Sequence, residues 1–322
     1  MRRIVRTAVV TLVVWNVGLV ALSWALATAS ERAHPAIGSF VDVDGRTVHL
    51  HDHGAPPDDP GAPAIVLLHG ASTSLLDFES GLAPALAGRF RVVTIDRPGH
   101  GYSARGSTWP DPYAQATSAR RALEAIGIDE AIWVGHSWAG AVVLAALLDE
   151  DDHARAGVLI AGATHPWEGG GAWHAELAAR PLIGQVFAWQ YIESAGRLVL
   201  DEAIASAFAP EPVPRDYVER TGVTLSLRPD TYRANAVDLT RLSAHLERQS
   251  MRYPALRRPL LSITGTADEV VPAWNHDARL AAQVPSLESV ALEGAGHAPH
   301  HTRTARVAEL VTGFVERLSA QP

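Results

Sequence analysis

Three residues whose types could together perform acyl transfer each follow a buried apolar run. Ser137 follows the run AIWVGH, Asp268 follows PLLSITG by three residues, and His297 follows LESVALEGAG. A serine hydroxyl is a weak nucleophile until an adjacent base takes its proton, and a histidine oriented by a carboxylate is such a base. The pattern makes Ser137 the candidate nucleophile, His297 the base and Asp268 the acid that orients it.

The apolar runs that carry these residues predict a mostly parallel sheet. Two strands joined by a turn at Asp44 and Gly45 are expected over residues 40–54, and six more runs lie at 64–70, 91–101, 131–137, 156–162, 259–265 and 287–296. Helical patterns separate them at 113–126, 139–148, 274–283 and 304–318. Strands that alternate with helices form parallel sheets, and ligands bind beyond the carboxyl ends of such strands. The three candidate residues should therefore meet at one sheet edge.

The segment VGHSWAG, residues 134–140, predicts a strained turn from strand to helix with Ser137 at its tip. The room for this turn comes from small neighbours: Gly135, Ala139 and Gly140. The backbone N–H of Trp138 begins the following helix and would face a developing oxyanion. A second N–H would come from the loop after Gly70, at Ala71 or Ser72, and we expect Ala71.

These segments resemble the serine hydrolases of the α/β-hydrolase fold. The matching segments are LLHGAS (67–72), DRPGHGYS (96–103), VGHSWAG (134–140), ITGTADEVVP (263–272) and GAGHAPH (294–300). The resemblance implies an α/β-hydrolase fold with an eight-stranded sheet, the triad Ser137–Asp268–His297, an oxyanion loop after Gly70 and a cap between strands six and seven. The usual G-x-S-x-G turn has Ala139 at its fifth position here, and alanine is small enough to add only slight strain.

Neighbouring residues compete for two of these roles. Glu269 could replace Asp268, and His300 and His301 lie close to His297. The G-A-G-H context after the last strand favours His297. Strand six, the other usual place for the acid, is followed by IAGATHP, which has no carboxylate, and this favours Asp268.

Other polar residues are interpreted as structural. Asp96 in DRPGHG is expected to stabilise a loop, and His136 is expected to pack beside the serine turn. His49, His51 and His53 alternate along one strand, so they share a face. That spacing could hold a metal, but a solvated face of the first hairpin is favoured, and we predict no metal site.

Composition excludes several classes of chemistry. All 27 basic residues of the 322 are arginines, so a lysine Schiff base is excluded, and the absence of cysteine excludes thiolate nucleophiles and cysteine zinc sites. The net charge of −8 argues against nucleic acid as a partner, because binding to phosphates needs a basic face. The proposed chemistry needs no cofactor.

Residues 1–30 differ from the rest and predict a membrane anchor or a signal segment. Three arginines precede the uncharged stretch Thr7–Ala29. The 22 residues from Ala8 to Ala29 reach the length of about 20 that a membrane helix needs, whereas Ala27-Thr28-Ala29 fits a signal cleavage site. We favour the anchor, with the domain of residues 31–322 outside the cytoplasm, because basic residues stay inside. After cleavage the protein would be secreted or periplasmic.

Residues from about 163 to 255 show no buried-strand run and predict a helical cap. Its aromatic residues could line an acyl pocket or form the core of the cap. We predict a serine hydrolase that acts on a small-molecule carboxylic ester with an apolar portion, through an acyl-enzyme on Ser137. Lactone, amide and C–C bond hydrolysis, other acyl transfer, and a binding protein without turnover remain alternatives. Substrate identity and oligomeric state stay open.

Overall fold

An eight-stranded sheet forms the centre of the computed structural model, which describes residues 2–106, 109–149, 151, 153–169 and 172–320. The strands are β1 Ser39–Val43, β2 Arg46–Asp52, β3 Ala64–Leu68, β4 Arg91–Ile95, β5 Ala131–His136, β6 Ala154–Ile160, β7 Leu260–Gly265 and β8 Leu287–Leu292. Their order is β1-β2-β4-β3-β5-β6-β7-β8. Strands β3 to β8 pair in parallel, whereas β1 and β2 are antiparallel. The predicted mostly parallel sheet is confirmed.

Helices cover both faces of the sheet. The helices are α1 Arg2–Ala33, α2 Leu76–Glu79, α3 Leu82–Ala87, α4 Pro112–Ala125, α5 Ala139–Leu147, α6 Trp173–Ala178, α7 Ile183–Phe187, α8 Glu193–Phe208, α9 Tyr217–Thr221, α10 Pro229–Ser250, α11 Asp277–Gln283, α12 Pro299–Thr302 and α13 Thr304–Ser319. One core cluster packs α2, α3 and α13 against the sheet, and a second packs α4 and α5 against the other face. A strand with helices on both sides is buried throughout, which explains the unbroken apolar run of β5.

The insertion between β6 and β7 is helical in its described part and consists of α6 to α10 with three short irregular turns. Helices α7 and α8 form one continuous helix from Ile183 to Phe208, joined through a π-helical segment at Ala188–Ile192. The long helix α10 joins this cap to the sheet domain, since the side chain of Gln249 donates a hydrogen bond to the carbonyl of Ala141 in α5.

Two helix ends differ from the sequence prediction by three residues. Helix α11 begins at Asp277 and not at residue 274, because the N–H groups of Asn275 and His276 both donate to the carbonyl of Pro272 in a preceding turn. Helix α1 continues to Ala33, three residues beyond the predicted N-terminal segment of residues 1–30. By length and composition α1 is long and apolar enough to cross a membrane.

Candidate active site

The three residues predicted from strand ends lie within hydrogen-bonding distance of one another. The Nε2 atom of His297 is 2.9 Å from the Oγ atom of Ser137, and its Nδ1 atom is 2.8 Å from Oδ2 of Asp268. The rival acid, Glu269, is exposed to solvent. The imidazole of His297 thus joins a hydroxyl and a carboxylate, which is the arrangement a general base needs.

The turn that carries Ser137 is strained and held by backbone hydrogen bonds. Ser137 has a φ of +52°, in the left-handed region that a residue with a side chain rarely adopts. Its N–H donates to the carbonyl of Ile160 at 3.0 Å, and its own carbonyl accepts from the N–H of Gly140 and of Ala163, both at 2.9 Å. Strain of this kind persists only where the surroundings fix the backbone, and it turns the hydroxyl out of the sheet edge.

Close packing explains the small residues around the serine. A Cβ atom on Gly135 would lie 2.6 Å from the carbonyl oxygen of Ala139, and one on Gly140 would lie 2.8 Å from the Cα of Gly162. The methyl group of Ala139, by contrast, fits in the core and is fully buried. The third small position of the turn therefore tolerates alanine where the other two require glycine.

The carboxylate of Asp268 is held in its ionised form. Burial alone would raise its pKa, but hydrogen bonds from His297 and from the backbone N–H groups of Val270 and Val271 outweigh burial and lower it. The two N–H groups donate to Oδ1 at 2.8 and 2.9 Å and leave Oδ2 for the imidazole. A fixed negative charge on this side favours the Nδ1–H tautomer of His297 and a free Nε2 lone pair toward the serine.

The loop after β3 lies directly against the serine turn. A Cβ atom on Gly70 would lie 3.1 Å from the Cβ of Ser137 and 2.9 Å from Nδ1 of His136. Only glycine allows the two strand ends to approach this closely. The backbone that follows Gly70 is therefore beside the serine hydroxyl.

The N–H groups of this region separate the two candidates for the second oxyanion donor. Ser72 donates its N–H to Oδ1 of Asn235 at 2.9 Å, and the Nδ2 atom of Asn235 donates in return to Oγ of Ser72. Within the described part of the chain, no acceptor takes the N–H of Ala71 or of Trp138. The N–H groups of Ala71 and Trp138 are therefore free to donate to an oxyanion, whereas the N–H of Ser72 already donates to Asn235.

A buried histidine cluster supports the imidazole of His297 from behind. The Nε2–H of His136 donates to the carbonyl of His297 at 2.9 Å, and the ring of His136 packs 4.2 Å from that of His300. Burial, followed by the nearby His300 and His297, holds the pKa of His136 well below its usual value, so its ring is neutral. Asp77 accepts hydrogen bonds from Nε2 of His300 at 3.0 Å and of His301 at 2.8 Å. The two histidines that rivalled His297 therefore point to another carboxylate.

Sequence reasoning missed a buried ion pair beside the site. Arg97 lies 3.0 Å from Asp238 of α10, and its guanidinium group stacks 4.3 Å over the ring of Trp138. The same guanidinium donates to the carbonyl of Gly70 at 3.0 Å. Burial lowers the pKa of Arg97 to about 10, and Asp238 opposes this shift. The motif DRPGHG contained Arg97, but nothing in the sequence marked its partner 141 residues away.

The remaining polar residues predicted as structural have defined partners. Asp96 accepts hydrogen bonds from the N–H of Leu75 at 2.7 Å and of Tyr102 at 2.8 Å, and it lies 2.6 Å from Nδ1 of His49. It therefore ties three segments together. His49 is buried, so the interpretation of all three alternating histidines as a solvated face was wrong for this residue.

Two groups of side chains among the described residues have potential metal ligands within 4.8 Å of one another. They are His51, His53 and Glu79, and Asp77, His300 and His301. In the first group both imidazoles lie 3.1 Å from the carboxylate, and in the second both donate to it.

A parallel sheet with a serine turn after β5, an acid after β7 and a histidine after β8 defines a hydrolase scaffold. Residues 63–304 match the family described as the alpha/beta hydrolase fold, and the chain belongs to this family. It is a hydrolase by this membership. A pimeloyl-[acyl-carrier protein] methyl ester esterase of Xanthomonas campestris pv. campestris (strain B100) is 31% identical over 263 residues, which cover 80% of this chain and 96% of that protein.

Solved structures show the same fold at lower identity. The enol-lactonase from Burkholderia xenovorans LB400 superimposes with a TM-score of 0.65 at 22% identity and covers 86% of this chain and 100% of that one. A membrane phospholipase A, described as a bacterial virulence factor, gives a TM-score of 0.64 at 18% identity. That match covers 99% of this chain and 100% of the other, so it extends through α1.

Proposed function

We propose that this protein hydrolyses carboxylic esters through an acyl-enzyme on Ser137. The observation that carries the proposal is the hydrogen-bonded chain from the hydroxyl of Ser137 through His297 to Asp268, with contacts of 2.9 and 2.8 Å. The partial exposure of Ser137 leaves its hydroxyl open to a substrate. Its relatives named as esterases support an ester over the other acyl compounds that such a triad can cleave.

In the first half of the reaction the Oγ atom of Ser137 attacks the acyl carbonyl carbon. Nε2 of His297 takes the hydroxyl proton and gives it to the departing alcohol oxygen, so the C–O bond breaks and an acyl-serine forms. The carboxylate of Asp268 stabilises the transient imidazolium. In the second half His297 takes a proton from water, the water oxygen attacks the acyl carbon, and the proton returns to Ser137 as the carboxylic acid leaves.

The backbone N–H groups of Ala71 and Trp138 stabilise the oxyanion of each tetrahedral intermediate. Each donor is worth about 3–4 kcal/mol of barrier in sites of this kind, because it is fixed before the charge develops. The N–H of Trp138 lies directly before α5, where the helix dipole adds positive potential. The position of the Ala71 N–H depends on the loop after Gly70. Arg97 holds this loop by its hydrogen bond to the carbonyl of Gly70.

Helix α1 anchors the enzyme in a membrane. Arg2, Arg3 and Arg6 precede a stretch without charges, and residues 2–15 are all exposed in the isolated chain. Positive residues stay on the cytoplasmic side, so the hydrolase domain lies on the opposite side. A membrane phospholipase A whose fold matches along 99% of this chain supports the anchor over a cleaved signal segment.

Labelling with a fluorophosphonate tests the enzyme class. This reagent modifies only an activated serine, so we expect one adduct per chain in the wild type and in the control variant Ser286→Ala, whose serine is exposed on the far loop before β8. We expect no adduct in Ser137→Ala. Equal labelling of Ser137→Ala and the wild type would indicate a different nucleophile. Tight binding of an ester by a wild type that is not labelled would indicate a binding protein.

A further inference from the structure

The cap carries a segment rich in exposed apolar residues, here called the cap segment and defined as residues 182–199. Its exposed apolar side chains are Leu182, Ile183, Val186, Tyr191, Leu198 and Val199. Leu182 is 79% exposed and Leu198 is 87% exposed. Soluble surfaces carry single apolar residues of this size, but a run of them in one helix marks an interaction surface.

The cap segment lies along the second half of α1. The side chain of Gln190 donates a hydrogen bond to Asn16, and Arg197 donates to Oγ of Ser30 at 2.7 Å and to the carbonyl of Leu26 at 3.3 Å. Lower residue numbers in the cap segment thus meet lower numbers in α1, so the two helices run in the same direction. The contacts of the cap segment with α1 thus extend from Asn16 to Ser30.

The burial of α1 shows where this contact begins. Residues 2–15 are all exposed, and from there onward a stripe with the spacing of a packed helix face is covered: Asn16, Leu19, Ser23, Leu26 and Ser30. Positions three and four apart lie on one side of a helix. One side of α1 is therefore in contact with the rest of the protein along its whole second half.

This contact leaves too little of α1 to cross a bilayer by itself. The uncharged part that precedes the stripe is Thr7–Trp15, which spans about 14 Å at the helical rise of about 1.5 Å per residue. The hydrocarbon core of a bilayer is about 30 Å thick. A crossing by α1 with the cap entirely in water would leave about half of the hydrocarbon unspanned.

We propose that the cap segment is inserted beside α1 into the membrane leaflet nearest the hydrolase domain, and that the enzyme takes its ester substrate from that leaflet. The inference rests on the proposed anchor. Apolar helix faces bury themselves in the outer part of a bilayer in proportion to their apolar area, and the exposed side chains of residues 182–199 supply such a face.

The polar groups of the cap segment fit this position. Glu193 is fully buried and lies 3.1 Å from Arg197, and Gln190 is paired with Asn16. Polar groups at membrane depth pair with one another because hydrocarbon offers them no partner. These contacts face α1, while Leu198 next to Arg197 faces outward.

Aromatic residues mark the expected border of the leaflet. Trp24 lies about 27 Å along α1 from Arg6, which is close to the thickness of the hydrocarbon core. Trp24 and Trp189 line a cavity of about 840 Å³ between α1, the cap and the loop 99–105, together with Arg105 and Arg228. Tryptophan and arginine concentrate at the membrane–water border, so this border falls at the cavity. Arg197, which meets Leu26 and Ser30 beyond Trp24, then lies at the headgroup level.

The absence of cysteine allows a direct depth measurement on the full-length protein. A single cysteine introduced as Ile183→Cys carries an environment-sensitive fluorophore in phosphatidylcholine vesicles, with Met251→Cys as the matched control, since Met251 is 72% exposed and lies after α10, outside the cap segment. Val10→Cys reports on α1 itself. Nitroxide lipids labelled on the acyl chain quench a fluorophore in the hydrocarbon, and iodide quenches one in water.

We expect the labels at residues 10 and 183 to be quenched by the nitroxide lipids and shielded from iodide, and the label at residue 251 to behave in the opposite way. Iodide quenching at residue 183 equal to that at 251, with residue 10 still in lipid, would overturn the cap insertion and leave the anchor standing. Iodide quenching at residue 10 would overturn both. Shielding of residue 183 without lipid quenching would indicate a second copy of the chain on this face and would also overturn the inference.

Measurements of ester turnover provide an independent test of the inference. Leu182→Glu places one charge in the cap segment, and Met251→Glu places one charge at an equally exposed site elsewhere. We expect Leu182→Glu to lower hydrolysis of a long-chain ester dissolved in vesicles several-fold and to leave hydrolysis of a water-soluble short-chain ester unchanged. Met251→Glu should change neither rate. Equal vesicle rates for the two variants would contradict uptake from the leaflet.

Discussion

The carboxyl edge of the sheet and the contact between α1 and the cap are built in different ways. At the sheet edge, Ser137, Asp268 and His297 each stand within a few residues of a strand end, and the sheet brings them together. At the α1 contact, single side chains such as Asn16 and Gln190 meet across 174 residues without any repeating pattern between them. The first region depends on backbone geometry and the second on individual side-chain pairs.

The two regions therefore have different roles, since the sheet edge carries the candidate catalytic residues and the contact between α1 and the cap holds the cap in position. Ser137 and Asp268 follow β5 and β7, which are buried throughout, and His297 follows the edge strand β8. The cap and α1 contribute no atom to the candidate triad, but Asn235 and Asp238 of α10 contact Ser72 and Arg97, which lie in the loops beside Ser137. A substitution at the sheet edge should therefore change turnover with little effect on folding, whereas one at the cap junction should change stability first.

The largest effect is expected from Ser137→Ala. Without the nucleophile no acyl-enzyme forms, so kcat for a p-nitrophenyl ester should fall by about 10⁶-fold, as when the serine of a triad is removed elsewhere. The free energy of unfolding should stay close to that of the wild type. A residual rate within tenfold of the wild type would show that the sheet edge does not carry the chemistry through this hydroxyl.

The second effect concerns the acid. In Asp268→Asn the amide no longer fixes the correct tautomer of His297, and kcat should fall by about 10⁴-fold. Glu269→Gln is the matched control, because it removes a neighbouring carboxylate that is exposed and has no contact with His297 in the described structure. Steady-state kinetics on both variants decide the assignment. An equal loss in Glu269→Gln would return the role of the acid to that residue.

The third effect tests the junction between the cap and the sheet. Asp238→Ala leaves the buried guanidinium of Arg97 without its counter-charge, and the free energy of unfolding should fall by about 3–5 kcal/mol. Denaturant unfolding in detergent micelles measures it. The control Arg89→Ala breaks an exposed ion pair with Glu316 and should cost less than about 1 kcal/mol. Similar losses in the two variants would mean that the buried pair does not hold the junction.

The smallest effect appears in the acid limb of stability. The folded-state pKa of Asp268 is lowered, so its ionised form stabilises the fold above the unfolded pKa of about 4, and this stabilisation is lost as pH falls through the lower folded value. Unfolding free energies measured between about pH 5 and pH 2 should decline less steeply in Asp268→Asn than in the wild type. Parallel curves would show that the hydrogen bonds to this carboxylate do not contribute in this range.

Sequence patterns predict the sheet and the meeting of the triad side chains for a physical reason. A strand covered on both faces needs an unbroken apolar run, and the residue after such a run is bound to lie at the sheet edge. The strands before Ser137 and Asp268 are buried at every position. Local sequence thus determines the approximate position of each side chain before any long-range contact is known.

Other features could not be predicted because they depend on contacts between distant segments. The engagement of the Ser72 N–H, which supports the expected Ala71 as the candidate donor, depends on Asn235 of the cap. The burial of Arg97 depends on Asp238 in the same helix. The covered positions of α1, from Asn16 to Ser30, have no matching sequence pattern in the cap. The sequence of α1 alone therefore does not predict which segment it contacts.

Trapping of the acyl-enzyme is the most direct test that the acyl group is transferred to Ser137. A p-nitrophenyl ester is mixed with the enzyme, the reaction is stopped in acid within milliseconds, and the peptides are weighed by mass spectrometry. We expect the mass of the acyl group to appear on the peptide that contains Ser137 and to disappear as turnover ends. Acylation of another residue, or full turnover without any acylated peptide, would contradict it.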